Sequence, residues 1–257
     1  MSIEFSGASP VHQKSTASLP GRHLPLIRDL RRMLLARPVA GRPRILSFGC
    51  SVGHECLDLA SEIPEAEIFG CDINTAAREE ALERCRGKAT VVESSPDVLL
   101  ALAPFDAVLA LSVLCRHPQT AGRDNVSKAY PFHLFDEGLR LLDQLLEPEG
   151  FLVIYNAQYF FEDSSVASRY CPMDDAQRRE NGWIEKSLPS GERVTEVFFQ
   201  YRGTEYTRLD WRPVSRTLRL SNESPLVSYR HVWRVPSLAE SRSTHRRVWR
   251  KVARLPE

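Results

Sequence analysis

Between positions 44 and 157 the chain alternates short apolar runs with stretches whose apolar residues recur every three or four positions. Runs of that length read as strands, and the three-to-four spacing reads as helices with one buried face. The pattern predicts strands at 44–48, 67–71, 89–93, 105–111 and 151–156, with helices at 53–63, 75–86, 96–103 and 132–146. Strands that alternate with helices build an α/β fold, a mostly parallel sheet with helices on both faces. Right-handed crossovers then gather the C-terminal ends of the first, second, fourth and fifth strands at one crevice, where open α/β sheets bind ligands.

The flanks read differently. Upstream, Leu24, Leu26, Ile27, Leu30, Met33 and Leu34 fall at helical spacing with arginines between them. That helix either packs on the domain or lies over the crevice as a lid. Pro38 and Pro43 break it before the first strand. Residues 1–20, rich in Ser, Ala and Pro, are expected to be mobile. Downstream, 162–181 is polar, with an acid pair at Asp174-Asp175, and reads as loop or short helix. Two β-rich runs at 183–188 and 193–201 flank a Pro/Gly turn and predict a hairpin, and 218–220 and 226–235 predict further strands. The expected organisation is an N-terminal segment and helix (1–43), an α/β core (44–157) and a C-terminal β-containing elaboration (158–257).

Chemistry enters at the first strand-to-helix junction. The run Gly49-Cys50-Ser51-Val52-Gly53 is a tight turn of small residues between the first strand and the first helix. Such a junction offers backbone N–H groups and a helix N-terminus to a ligand, and glycines let a cofactor approach the main chain. Asp72, at the end of the second strand, stands where an acid accepts hydrogen bonds from the hydroxyls of an adenosine ribose. The dinucleotide fingerprint G-x-G-x-x-G is not met, since Ser51 occupies its middle position and the third glycine is missing. A pyrophosphate therefore fits poorly, and a nucleoside cofactor without phosphates fits better.

The stretch F-G-C-S-V-G-H-E, from Phe48 to Glu55, resembles motif I of class I S-adenosylmethionine-dependent methyltransferases. More narrowly it is similar to the G-C-S-x-G-E-E form of chemotaxis-receptor (CheR-type) methyltransferases. His54 stands where that group has an acid, and Cys56 and Leu57 where it commonly has proline and tyrosine. The resemblance covers roughly 44–157 and implies a Rossmann-like methyltransferase fold with S-adenosyl-L-methionine as cofactor. It implies that Gly49, Cys50, Ser51 and Gly53 face the methionine part, with Glu55 beside them. Asp72 takes the ribose, Ile73 flanks the adenine, and Ser94 and Ser95 give it polar contacts. Leu111 and Ser112, after the fourth strand, line the cofactor and admit the acceptor. Glu147-Pro148-Glu149-Gly150 before the fifth strand is similar to the L-x-P-G-G-x-L element of the class, with Glu149 in place of the first glycine.

Methyl transfer from a sulfonium is an in-line displacement, so the protein mainly aligns the acceptor and, for some acceptors, removes a proton. Two residues are candidates for that work. His117 follows the fourth strand and is either a general base or an ordinary loop histidine. Asn156 opens the aromatic and amide-rich run 155–161, which forms either an acceptor pocket or the packing of a helix on the sheet. No Asn-Pro-Pro-Tyr or Asp-Pro-Pro-Tyr follows the fourth strand, which argues against methylation of exocyclic amines in nucleic acids.

Composition narrows the partners. Lys+Arg 34 against Asp+Glu 33 leaves a net charge of +1, so no whole-molecule field points to nucleic acid or membrane. The six cysteines form no C-x-x-C pair, no metal-ligand spacing stands out, and no apolar run is long enough for a bilayer. These features imply a reducing, cytoplasmic setting without a structural metal. From Arg230 onward a local basic excess, with Trp233 and Trp249 interleaved, is either the solvated face of a terminal helix or a surface for RNA or an acidic protein. The expected acceptor is a small molecule. A protein carboxylate, an RNA, and a non-catalytic S-adenosylmethionine-binding role stand as alternatives.

Overall fold

A computed structural model describes residues 11–13, 18–37, 41–173, 182–222, 224 and 226–253. Its elements run α1 (Leu24–Leu35), β1 (Arg44–Phe48), α2 (His54–Glu62), β2 (Glu67–Asp72), α3 (Thr75–Arg84), β3 (Thr90–Glu93), α4 (Pro96–Leu102) and β4 (Phe105–Leu111). There follow α5 (Phe132–Leu145), β5 (Leu146–Tyr155), β6 (Tyr170–Pro172), β7 (Thr195–Tyr201), β8 (Thr204–Tyr206), α6 (Arg208–Thr217), β9 (Ser228–Trp233) and β10 (Val248–Lys251). Pro38, Asp174, Asp175 and Arg254, and most of 1–20, lie outside the described residues.

The five predicted core strands form one sheet with two unpredicted ones, β6 and β10, in the order β3-β2-β1-β4-β5-β10-β6. The first five are parallel to one another, and β10 is antiparallel to both β5 and β6. The protein is thus an α/β fold with a mostly parallel sheet. Burial on both faces explains the unbroken apolar runs of its central strands. Successive residues serve opposite cores, as the strand pleat requires. Leu46, Val108 and Leu152 pack with α4 and α5, while Ile45, Ala107 and Val153 pack with α1, α2 and α3. Helix α1 buries Leu26, Ile27, Leu30 and Leu34 against this second core. It therefore packs on the domain.

Four expectations are corrected. The helix and strand expected at 132–146 and 151–156 are nearly continuous, because β5 begins at Leu146 and runs through the Glu147-Pro148-Glu149-Gly150 segment. Glu149 there has φ +66°, a left-handed conformation that glycine adopts without strain, which accounts for glycine at this place in the pattern it resembles. The turn near 188–192 forms, with Ser187 bridging Arg193, but the long arm β7 pairs with β8 and β9 in a separate three-stranded sheet. Residues 218–220 are no strand. They follow α6, a helix that Pro213 hid from the sequence reading. The basic C-terminal stretch is no terminal α-helix either: after β9 it makes a short 3-10 turn at Pro236–Glu240 and then β10, which enters the main sheet.

The small sheet closes over its own core, where Trp211 is sandwiched near Phe199 (ring centroids 5.7 Å, stacked). Buried His231 of β9 lies 3.0 Å through Nδ1 from Thr195 Oγ1 of β7, within the sheet, and its Nε2 joins the sheet to the Gly182 carbonyl at 2.9 Å. Burial pushes the His231 pKa down to about 3. His12 packs against Tyr130, and burial, aided by the Arg116 charge, pushes it down to about 4. Both rings are neutral in the folded protein and titrate near the ordinary 6.5 when unfolded. Their contribution is complete above pH 6.5 and declines as the pH falls toward the folded values, because only the unfolded chain takes up the protons. Urea unfolding at pH 7 and pH 5 should show a loss of about 2 kcal/mol for each of these two histidines, with a flatter pH slope in His231→Gln.

Candidate functional site

The turn after β1 is held almost entirely by its own backbone. The amides of Gly49 and Cys50 both donate to the Cys71 carbonyl, at 2.9 and 2.8 Å, and the Gly53 amide donates to the Cys50 carbonyl at 3.0 Å. The Ser51 amide donates to Asp72 Oδ2 at 2.8 Å, from a residue with φ +52°. The expectation of N–H groups presented to a ligand is therefore corrected: these four amides are consumed inside the protein. No anion-binding nest remains at these positions.

The glycines are explained by packing. A Cβ on Gly49 would stand 2.5 Å from Val113 Cγ2. One on Gly53, where φ is +87°, would stand 2.6 Å from Cys85 Sγ and 3.2 Å from Ala81 Cα. Gly53 is needed so that α3 can approach the turn, and it does not line the cavity described next. Beneath the turn lies a floor of buried thiols, Cys50, Cys56, Cys71 and Cys85. Hydrogen bonding with Cys50, the largest cause, and burial push the Cys56 thiol well up, and burial raises Cys71 to about 12, so both behave as small apolar groups.

A cavity of about 330 Å³ opens at the C-terminal ends of β1, β2 and β4, within the range of small-molecule sites. The structure brings Gly49, Cys50, Ser51, Glu55, Asp72, Ile73, Ser94, Leu111 and Ser112 together on its wall. Gly53 and Ser95 lie off it. Asp72, 8% exposed, accepts Ser51 N on one oxygen and Asn74 N (2.7 Å) on the other. A carboxylate offers about four lone-pair sites, so each oxygen retains capacity for a further donor. Glu55 accepts from Ser47 Oγ at 2.7 Å. The lining thus carries two carboxylates and one guanidinium, Arg22, with a neutral His12.

His12, Gln13, Ser18 and Arg22 come from the N-terminal segment, and the sequence reading missed them at the site. Val11–Gln13 lines this cavity. His12 is buried where Gly138 of α5 leaves room, and Arg116 bonds the carbonyls of Val11 and His12. Nothing local marks such contacts, which join residues more than a hundred positions apart. Asn74, also on the wall, was not singled out in the sequence; its Oδ1 accepts Ala77 N at 2.9 Å as the N-cap of α3.

The two catalytic candidates lie off the cavity wall. Asn156 is fully buried, its Nδ2 donating to Ser112 Oγ at 3.0 Å and its Oδ1 accepting from Trp183 N at 2.7 Å. Its amide fastens the β4 loop to the downstream chain, a positioning task. His117 stands edge-on to Trp183, 4.6 Å between ring centroids, and burial with the nearby Arg208 charge pushes it down to about 4. Such an imidazole is a weak proton acceptor at neutral pH. The basic C-terminal residues meet acids: Arg230 with Glu205, Arg234 with Asp124, Arg242 with Asp163, Arg246 with Glu162, and Arg250 with Glu149. Among the described residues no group of three His, Cys, Asp or Glu could hold a metal, and no helix is long and apolar enough to cross a membrane.

No family model matches the chain, and no curated protein is similar to it. Solved structures resemble part of it. A plantazolicin methyltransferase in complex with a desmethyl analogue and S-adenosylhomocysteine is 20% identical over 52% of this chain and 46% of its own, with a TM-score of 0.39. A TehB-like S-adenosylmethionine-dependent methyltransferase from Corynebacterium glutamicum is 18% identical over 48% and 59%, with a TM-score of 0.34. A precorrin-6y C5,15-methyltransferase from Geobacter metallireducens is 17% identical over 49% and 60%, with a TM-score of 0.33. The chain spans less than two thirds of the length of each. Strand order and register, not these similarities, define the fold.

The packing account of Gly53 has a direct test. Gly53→Ala should destabilise by about 1–3 kcal/mol in urea unfolding, from a Cβ crowded against α3 and a left-handed backbone. Adding Cys85→Ala should recover the part of that loss due to crowding, whereas no recovery would leave the left-handed backbone as its sole cause.

Proposed function

We propose that the chain is an S-adenosylmethionine-dependent methyltransferase acting on a small-molecule acceptor. The observation that carries this reading is the charge and hydrogen-bonding character of the cavity. Two carboxylates line it and four turn amides are already bonded, so a pyrophosphate would meet repulsion that the one guanidinium of the lining, Arg22, offsets only in part. A phosphate-free nucleoside that carries a sulfonium and an ammonium group suits the same wall. In this reading Asp72 accepts from the two ribose hydroxyls, Ile73 and Ser94 border the adenine, and Glu55 with the turn 49–51 borders the methionine part. When bound, S-adenosylmethionine supplies a methyl group on a sulfonium, and the leaving thioether is neutral.

This chain's residues then have to align an acceptor and keep water out. Leu111, Ser112 and Val113 border that end of the cavity, and Val11–Gln13 covers it. His117 and Asn156, as placed, support the acceptor side through neighbouring segments and carry no proton in the proposal. An acceptor that is already nucleophilic needs no base. The free thiols around the turn favour a reducing compartment for this reaction. The pairing of the C-terminal arginines with acids favours a small acceptor over RNA, because binding RNA would compete with those ion pairs.

Calorimetric titration of S-adenosylhomocysteine and of NAD into the full chain tests the reading. S-adenosylhomocysteine should bind and NAD should not; the reverse order would sink it. Asp72→Asn should weaken S-adenosylhomocysteine by roughly tenfold to a hundredfold, the loss of about 1.5–3 kcal/mol of charge-assisted hydrogen bonding. A parallel urea curve is required, because the same carboxylate accepts the Ser51 and Asn74 amides and its loss also lowers stability.

A further inference from the structure

A second, larger cavity of about 1110 Å³ lies beside the first, between the segment leading into α1 and strand β9 of the small sheet. The two are neighbours through shared parts. Arg22 lines both. Tyr155 lines the second, while its carbonyl accepts the amide of Ser112, which lines the first, at 2.7 Å. Their electrostatic characters are opposite. The first carries Asp72 and Glu55 besides Arg22, whereas the second is lined by Arg22, Arg28, Arg230 and Arg247, with no Asp or Glu among its described lining residues.

The four arginines are not equivalent. Arg28 and Arg230 sit at the outer side, bonded to Glu62 and Glu205. Arg247 is 6% exposed, in the chain just before β10, with its carbonyl accepting Ile154 N at 2.8 Å. A guanidinium stays charged at any physiological pH, and at low exposure its attraction for an anion is much less screened than at the surface. The hydroxyls of Tyr155 and Tyr229, which meet at the cavity wall, add polar contacts beside it. Carboxylates and phosphates are the groups whose geometry matches the guanidinium fork.

We infer that this second cavity binds a small organic anion, a carboxylate or phosphate ester, held by Arg247 and Arg22 next to the cofactor cavity. Its role as the acceptor site rests on the methyl-transfer reading, whereas its preference for anions rests on its own lining. A cationic donor and an anionic acceptor would then enter through oppositely charged walls and meet at Arg22.

The test is a titration of the isotopically labelled full chain followed by amide resonances, with benzoate, phenyl phosphate and the neutral isostere benzamide as probes. At least one anion should shift the amides of Arg22, Tyr155, Ser228 and Arg247, binding roughly tenfold or more tighter than benzamide. Which of the two binds tighter separates a carboxylate acceptor from a phosphate ester. Arg247→Gln and Arg22→Gln should each weaken that anion by about tenfold; Arg22, the less buried, serves if the Arg247 variant fails to fold. Absence of shifts from either anion at about 20 mM, or equal binding of benzamide, overturns the inference. S-adenosylhomocysteine is titrated in parallel. If it binds and the anions do not, this inference alone fails. If the anions bind and it does not, the anion site stands and the methyl-transfer reading fails.

Discussion

The carboxylate of Asp72 accepts a backbone amide on each oxygen, Ser51 from the turn after β1 and Asn74 from the turn after β2. Those two turns bring Ser51, Asp72 and Asn74 to the wall of the smaller cavity. The arrangement rests on parallel registry, because Phe48 of β1 pairs with Cys71 of β2, and the turn leaving β1 folds back onto the Cys71 carbonyl. Asp72 follows immediately, at the point where its short side chain spans both loops. A ligand at this place would meet a carboxylate already fixed in position, so little conformational entropy remains to be lost on binding.

Second to that bond is the closeness of α3 to the turn. Gly53, Ala81 and Cys85 are small, and the residues around them leave no space for a methyl group on Gly53. Gly70 in β2 does the same for the thiols of Cys56 and Cys50, its missing Cβ lying 2.6 and 3.0 Å from them. The motif that reads in sequence as a ligand signature is, in space, a packing solution between a strand, a turn and two helices. That solution then leaves the carboxylates of Glu55 and Asp72 facing the same void.

The parts of the molecule legible in the sequence are those whose interactions are local. Strands β1 to β4 and their helices follow from periodicity, because each buries its own apolar face within a few turns of chain. The cavity wall at 49–51, 72–73 and 111–112 follows from them, since strand ends in a parallel sheet share one edge. What was hidden depends on distant partners. His12 finds its place through Tyr130 and Gly138, and β10 through β5 and β6. No window of sequence contains both partners. The C-terminal arginines looked like a field because their acids, Asp124, Glu149, Glu162 and Asp163, lie far upstream in the chain. Asn156 looked catalytic because it leaves a strand at the crevice edge, yet its amide is spent on holding Ser112 and Trp183.

The position of β10 has a consequence for synthesis. It lies between β5 and β6 although the whole three-stranded sheet is translated between β6 and β10. While a ribosome is still making that sheet, β5 ends the row with its hydrogen-bonding groups open, and β6 has nothing to pair with. An unpaired edge on an apolar strand is a template for association with another chain. The nascent protein is thus exposed to such association from the completion of β5 onward, after strands β1 to β4 are made, and Val248–Lys251 is the segment whose arrival covers β5.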